Sequence, residues 1–250
     1  MWIRACLNGS RTVASHPALP ITPSQLGEEG CRAIDAGAVA LHIHPRNHEG
    51  VESLEANVIE IALLELRKRC PGVPLEVSTA AWIEGDVGRR LTCVRQWSVL
   101  PDSAGVNFGE PGAVELAQAL LARGVGVEAG LFSAEDARLM VAADVAQECN
   151  HIQIEPILTT NIAEALAIAQ SIEQVLDDAG VTTPRLLHGK DATAWMLLKY
   201  AFSQGYATRI GLEDTLMLPN GRLARDNAEL VQVACDFGTS LHSAATGVVQ

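Results

Sequence analysis

The chain has 250 residues, 48% of them hydrophobic and 19% charged, which is enough apolar mass to bury a sizeable core and excludes a disordered chain. Its formal net charge of -12 argues against a nucleic acid or an anionic membrane as partner, because both require clustered Lys and Arg to neutralise phosphates. No apolar run approaches the roughly 20 residues that span a bilayer, so no membrane segment is expected.

Strand patterns and helix patterns alternate along the first half of the chain. The first helix is predicted to begin at Thr22, which can cap it and is followed by proline, and to end at Gly37. Apolar strand patterns occupy residues 2–7, 39–44, 75–78 and 104–108, and further helices are predicted over residues 54–69 and 87–97.

The same alternation continues through the second half. Four more strands are predicted over residues 125–131, 151–154, 185–187 and 208–212, with helices over residues 113–122, 133–147, 162–179, 192–202 and 227–237. Eight strands with helical crossovers predict a single-domain α/β fold, a (β/α)8 TIM barrel over residues 1–250. A doubly wound open sheet is the alternative, which is disfavoured because no Gly-rich dinucleotide-binding motif follows the first strand.

Polar residues recur where the predicted strands end. Barrel enzymes collect their active sites at this edge, so these residues are the candidates for chemistry. Some of them can equally cap the following helix, and that alternative stays open for Asn8, Thr79 and Glu155. The full set is Asn8, His42, His44, Ser78, Thr79, Asn107, Glu128, Glu155, His188, Glu213 and Asp214.

The strongest candidate in this set is a metal site. His42 and His44 lie at i and i+2 on one strand, so both imidazoles face the same side. In a closed barrel only the first strand separates them from Glu213 on the eighth. Two imidazoles and a carboxylate are a typical catalytic Zn2+ ligand set that leaves one position open, although other divalent ions accept the same ligands. The alternative is a pair of core histidines with satisfied hydrogen bonds.

Asp214 and Arg209 form a second candidate pair near the end of the chain. Arg209 shares the strand parity of Glu213 and can face the barrel interior, where it would keep Asp214 ionised and oriented. Asp214 would then act as a general base beside the metal. A purely structural ion pair is the alternative.

The six cysteines are widely scattered and include no Cys-X-X-Cys pair. We see no secretory signal at the first residues, so we expect reduced thiols and a cytoplasmic location.

Together these motifs resemble the beta-keto acid cleavage enzyme family, from about Arg4 to about Phe237. The segments that carry the resemblance are 21–23, 36–38, 42–46, 77–79, 106–109, 127–130, 209–214 and 227–231, of which His-Ile-His-Pro-Arg and Arg-Ile-Gly-Leu-Glu-Asp are the most specific as a pair.

The resemblance implies a (β/α)8 barrel that condenses a β-keto acid with the co-substrate acetyl-CoA, giving acetoacetate and a new acyl-CoA. One zinc ion would be held by His42, His44 and Glu213. Asp214, held by Arg209, would be the base, while Ser78 and Asn107 would hold the substrate carboxylate. Glu128, within one of the shared motifs, is a further candidate for substrate binding, and a homo-oligomer is expected.

The chain also departs from the family. Arg11 stands where the founding member, which cleaves an amino-keto acid, has a glutamate for the substrate's amino group. An arginine there favours a β-keto acid with an anionic far end, such as a diacid, unless Arg11 points to solvent. Ala80 and Ala81 replace paired glycines. His188 and Lys190 could line the entrance where a CoA phosphate would lie, or they could be ordinary surface residues. Lys190 is assigned to the surface, and the role of His188 stays open.

Two other classes of function remain open. A mononuclear zinc hydrolase or a metal-dependent C–C lyase would use the same ligands without acetyl-CoA. A barrel that binds a small acid without turning it over is the third possibility, because this fold hosts many functions.

Overall fold

The protein is described by a computed structural model over residues 2–246. Its eight strands are β1 Ile3–Cys6, β2 Ala40–Ile43, β3 Leu75–Ser78, β4 Ser103–Asn107, β5 Gly126–Leu131, β6 His151–Ile154, β7 Arg185–Leu187 and β8 Thr208–Ile210. The eight α-helices found in the same part of the chain are α1 Pro23–Asp35, α2 Ala56–Arg69, α3 Val87–Gln96, α4 Ala113–Leu121, α5 Ala134–Ala142, α6 Ile162–Asp178, α7 Ala194–Gln204 and α8 Asn227–Thr246.

The strands form one parallel sheet in the order β7-β6-β5-β4-β3-β2-β1-β8. A parallel bridge between Leu186 and Ala207 joins the two outer strands of this order and completes the circle. Each strand is followed by a helix on the outside. The predicted (β/α)8 barrel is therefore confirmed, and the open-sheet alternative is wrong.

Local sequence signals set the helix ends. The Thr22 hydroxyl accepts a hydrogen bond from the Gln25 amide, and the Gln25 side chain returns one to the Thr22 amide, so the predicted cap is a full capping box. Ser133 caps α5 in the same way. The predicted helix over residues 133–147 is too long, because α5 ends at Ala142 and Asp144 turns the chain with a φ of 56°.

The strands are buried on both faces, but the two faces differ in chemistry. Alternate residues such as Ile3, Leu41 and Val77 pack outward against the helices in the hydrophobic core. The residues between them, such as Arg4 and His42, point into the barrel and are buried as well. Barrel interiors usually hold branched apolar side chains, so the charged residues inside this barrel are a departure from the usual pattern.

No helix among residues 2–246 combines the length and the hydropathy needed to cross a bilayer.

Candidate active site

Three side chains converge at the carboxyl ends of β2 and β8. The Nε2 atoms of His42 and His44 lie 3.0 Å apart, and the Glu213 Oε2 atom lies 3.5 Å from the first and 3.7 Å from the second. Donors at the bond lengths of a tetrahedral Zn2+ site are separated by about 3.3 Å, so this spacing fits an ion at their centre. Glu213 Oε2 is buried and receives no hydrogen bond in the described structure, which leaves it available as a ligand.

Close backbone contacts at the end of β1 place these three side chains. Gly211 lies so near the Cys6 carbonyl that a Cβ atom there would sit 1.9 Å from its oxygen, so only glycine fits where β8 ends. Gly9, with a φ of 54°, packs against the Glu213 side chain. The Asn8 amide group bonds both the N–H and the C=O of His44. Asn8 therefore fixes the backbone of His44. It does not cap the following helix, whose cap is Thr22.

Each of the two histidines has a carboxylate next to its Nδ1 atom. His42 Nδ1 lies 3.1 Å from Glu76 Oε2, and His44 Nδ1 contacts Glu52 Oε1. A carboxylate at Nδ1 keeps the proton on that nitrogen and turns the Nε2 lone pair toward the metal position. The donor chemistry therefore fits a divalent metal ion.

Glu76 is itself tied into the barrel interior. Its Oε2 lies 2.5 Å from Arg4 Nη1, and its Oε1 accepts a hydrogen bond of 3.0 Å from Gln153. Burial raises the pKa of a carboxyl, but the nearby charges of Arg4 and His42 outweigh it and hold the pKa of Glu76 below its usual range. The sequence analysis missed both carboxylates. The strand parity of Glu76 did not show that it meets His42, and the loop position of Glu52 did not show that it meets His44.

Arg209 pairs with both neighbouring carboxylates. Its Nη2 donates to Glu213 Oε1 at 2.5 Å and to Asp214 Oδ1 at 2.8 Å. Burial opposes ionisation of both acids, yet Arg209 outweighs it and lowers the pKa of each, with His42 and His44 adding to the effect on Glu213. The predicted Arg209–Asp214 pair is present, and Asp214 Oδ2 remains buried without a hydrogen-bond partner.

His188 lies on the other side of Asp214. Its Nδ1 is 3.4 Å from Asp214 Oδ1, and its Nε2 is 3.1 Å from Glu155 Oε2. All three side chains line the same cavity above the barrel. His188 and Glu155, whose roles the sequence left open, are therefore part of the surroundings of the candidate base.

The cavity holds several of the predicted residues together. Ser78 lines it, as do Trp82 and Lys190. The assignment of Lys190 to the surface is wrong in this respect, because the residue is half-buried and faces the cavity. Nothing in the local sequence distinguishes such a lysine from an exposed one. The lining described around the metal position is Ser10, His42, His44, Glu76, Ser78, Trp82, Gly105, Gln153, Glu155, Ile157, His188, Lys190, Arg209, Glu213 and Asp214.

Asn107 and Glu128 lie apart from this lining. The Asn107 amide donates to Glu110 at 2.8 Å. Glu128 lies three residues before the end of β5, not at the carboxyl edge, and pairs with Arg4 at 2.7 Å. It faces the interior because its strand parity matches that of the ion-paired residues on neighbouring strands. The sequence pattern placed Glu128 at the carboxyl edge of the barrel, whereas it lies deeper in the interior. Its contact with substrate stays a prediction.

Arg11 lies at the rim of the barrel and does not point freely into solvent. Its Nε donates to the Glu213 carbonyl at 3.2 Å, and its Nη2 lies 2.5 Å from Asp191 Oδ1. The side chain is 17% exposed. Arg11 is thus beside the site, with its charge already offset by a carboxylate.

The comparisons with known proteins identify a family and several relatives. The family profile described as beta-keto acid cleavage enzyme matches residues 1–246. A 3-oxoadipate:acetyl-CoA acetyltransferase of Cupriavidus necator is 30% identical over 239 residues, covering 88% of this chain and 81% of the relative. A 3-keto-5-aminohexanoate cleavage enzyme of Fusobacterium nucleatum is 24% identical over 245 residues, covering 92% and 88%.

Solved structures share the fold. The ternary complex of ObcA with a C4-CoA adduct and oxalate matches with a TM-score of 0.70 at 16% identity, covering 92% of this chain. The present chain spans 65% of that protein's length. The Yersinia pestis dihydropteroate synthase matches with a TM-score of 0.55 at 15% identity, covering 97% of this chain and 94% of the synthase. At such identities the likeness concerns the barrel alone.

Proposed function

This chain belongs to the beta-keto acid cleavage enzyme family, and from that premise we propose that it condenses a β-keto acid with acetyl-CoA. The keto acid R–CO–CH2–COO⁻ and acetyl-CoA would give acetoacetate and the acyl-CoA R–CO–S–CoA, so that all atoms balance. The observation that carries the proposal is the His42, His44 and Glu213 cluster with the Arg209–Asp214 pair beside it. The acetyl-CoA acetyltransferase among the relatives supports the choice of co-substrate.

The metal position belongs to His42, His44 and Glu213, and we propose zinc as the ion. When bound there, it supplies positive charge that polarises the keto oxygen and favours the enolate that this chemistry requires. Glu76 and Glu52 orient the two imidazoles through Nδ1. The protein thus presents three donors on one side and leaves the cavity side open to substrate.

Asp214 is the base in this proposal. Its Oδ2 has no hydrogen-bond partner, while Arg209 holds Oδ1, so one oxygen is fixed and the other is free to take a proton. Asp214 would remove a proton from the carbon between the ketone and the carboxylate. After the acetyl group has been joined and the C–C bond cleaved by the CoA thiolate, it would return the proton to acetoacetate. His188 orients the carboxylate from the opposite side.

Substrate binding is assigned to Ser78 in the cavity. Arg11 at the rim contributes indirectly, because it pairs with Asp191 in the loop after β7. The Ser78 hydroxyl can donate a hydrogen bond to the substrate carboxylate. Asn107 acts on the same region through Glu110, whose other carboxylate oxygen accepts a hydrogen bond from the Ala81 amide in the loop after β3. A location in the cytoplasm and a homo-oligomeric state complete the proposal, and light scattering tests the latter.

The test is an assay of zinc-loaded protein against a panel of β-keto acids, with and without acetyl-CoA, that follows acetoacetate. We expect product only with acetyl-CoA, and loss of both product and bound zinc in the His42→Ala and Glu213→Gln variants. Removing one of three protein ligands weakens zinc binding by about 100-fold or more, since even outer-shell changes cost 10- to 100-fold.

His48→Ala is the matched control, because His48 is an exposed histidine in the loop after β2. It should keep both zinc and activity. Turnover of a keto acid without acetyl-CoA would contradict the proposal and identify a zinc hydrolase or a C–C lyase. Zinc binding with no turnover of any acid would instead identify a binding protein.

A further inference from the structure

One cation in the catalytic cavity has no counter-ion. Two side chains with permanent positive charge line the cavity, Arg209 and Lys190. The guanidinium of Arg209 is shared between two carboxylates. Among the described residues, no carboxylate lies within ion-pair distance of the Lys190 ammonium, although the residue is half-buried. Lys190 is therefore free to receive an anionic ligand.

The position of Lys190 around the barrel indicates which part of a ligand it meets. It follows β7, whereas Ser78 ends β3, and the intervening strands are β8, β1 and β2. Those are the strands that carry the metal ligands and the residues that place them. With the substrate carboxylate at Ser78, as proposed above, and the keto oxygen at the metal position, the far end of the keto acid would point toward the β7 side of the barrel, where Lys190 lies.

The loop that carries Lys190 is held in place on both sides. The Lys190 amide donates to Thr193 Oγ1 at 3.0 Å, and the Asp191 amide donates to the Asp214 carbonyl at 2.6 Å. Asp191 adopts a φ of 48° and pairs with Arg11. Because Asp191 offsets the charge of Arg11, the uncompensated charge at this side of the rim is that of Lys190.

We propose that Lys190 binds a second carboxylate at the far end of the substrate, so that the preferred substrates are β-keto diacids. This inference rests on the proposed function. It assigns the recognition of the far anionic end to Lys190, while Arg11 acts by fixing Asp191 and hence the loop.

The test compares a six-carbon β-keto diacid with the six-carbon β-keto monoacid, in the zinc-loaded wild-type protein and in Lys190→Met. Loss of one charge-assisted hydrogen bond lowers kcat/KM for the diacid by about 10- to 100-fold, through KM. The value for the monoacid and the KM for acetyl-CoA stay within about 2-fold. Lys190→Arg keeps the preference for the diacid, and thermal unfolding verifies that each variant folds.

Lys68→Met is the matched control, because it is the same substitution at an exposed residue of α2 that lies outside the cavity. An equal loss for both acids, a raised KM for acetyl-CoA, or no change at all would overturn the inference. Calorimetric titration of the diacid into zinc-loaded protein without acetyl-CoA separates the two proposals. Binding that is lost in Lys190→Met, in a protein that forms no acetoacetate, would support this inference and contradict the proposed function.

Discussion

Two arginines lie side by side inside the barrel, and each holds two carboxylates. Arg4 on β1 is paired in register with Arg209 on β8. Arg4 binds Glu76 and Glu128, which come from β3 and β5. Arg209 instead binds the two acids that follow it in the chain at i+4 and i+5. Both groups consist of one arginine and two carboxylates. Arg4 binds acids from distant strands, whereas Arg209 binds acids that are close to it in the chain.

The two groups differ in whether their carboxylate oxygens still have room for a further partner. Three of the four carboxylate oxygens around Arg4 accept a hydrogen bond, from Arg4, Gln153 or His151. The fourth, Glu76 Oε2, makes no hydrogen bond but lies 2.5 Å from Arg4 Nη1 in an ion pair. Around Arg209, Glu213 Oε2 faces two imidazole nitrogens, and Asp214 Oδ2 receives no hydrogen bond. A closed ionic group connects distant strands and stabilises the barrel, whereas an open one keeps polar atoms available for a metal and a proton.

The largest effect is expected from a substitution that removes the proposed base, Asp214. Asp214→Asn keeps the shape of the side chain but abolishes the base, so kcat should fall by about 100- to 10,000-fold. Zinc content should not change, since Asp214 is not among the three donors. Acetoacetate formation and metal analysis check both points. The exposed Asp236→Asn serves as control, and an Asp214→Asn variant of wild-type rate would refute the role of the base.

Breaking the closed group should affect stability instead. Arg4→Met leaves two buried carboxylates without their cation, which lowers the free energy of unfolding by about 3–5 kcal/mol. Urea unfolding measures the change. Adding Glu76→Gln and Glu128→Gln should recover most of it, because no buried charge is then left alone.

Arg138 provides the contrast, because its pair with Glu135 is exposed and such pairs contribute roughly 0–1 kcal/mol. If Arg138→Met destabilised the protein as much as Arg4→Met, the distinction between the two groups would fail.

The smallest of these effects concerns the residue that links the two groups. Glu76 contacts both Arg4 and His42, so Glu76→Gln should weaken zinc binding by about 10- to 100-fold and also reduce stability. Glu52→Gln should weaken zinc binding through His44 without the loss of stability, since Glu52 makes no contact with Arg4. Zinc titration against a competing chelator, together with urea unfolding, measures both. Equal stability of the two variants would show that Glu76 does not connect the groups.

Much of this site could be predicted from the sequence because its parts are local. The pair His42 and His44 follows from the two-residue period of a strand, and the Arg209–Asp214 contact follows from closeness along the chain. The placement of Glu128 was wrong because strand parity identifies the face of a residue but not its height in the barrel. Glu52 was missed because it lies in a loop, where no period applies.

What the sequence determined by itself is the set of elements and their order. The alternating periods, the capping residues Thr22 and Ser133, and the polar ends of the strands depend on neighbours within a few residues, and they predict the barrel and its active edge. Only the tertiary structure decided which charges meet, since the contacts of Arg4, Glu76 and His42 depend on the stagger of strands distant in the chain. For the same reason, only the tertiary structure identified Lys190 as a cation in the cavity that forms no ion pair with any described residue.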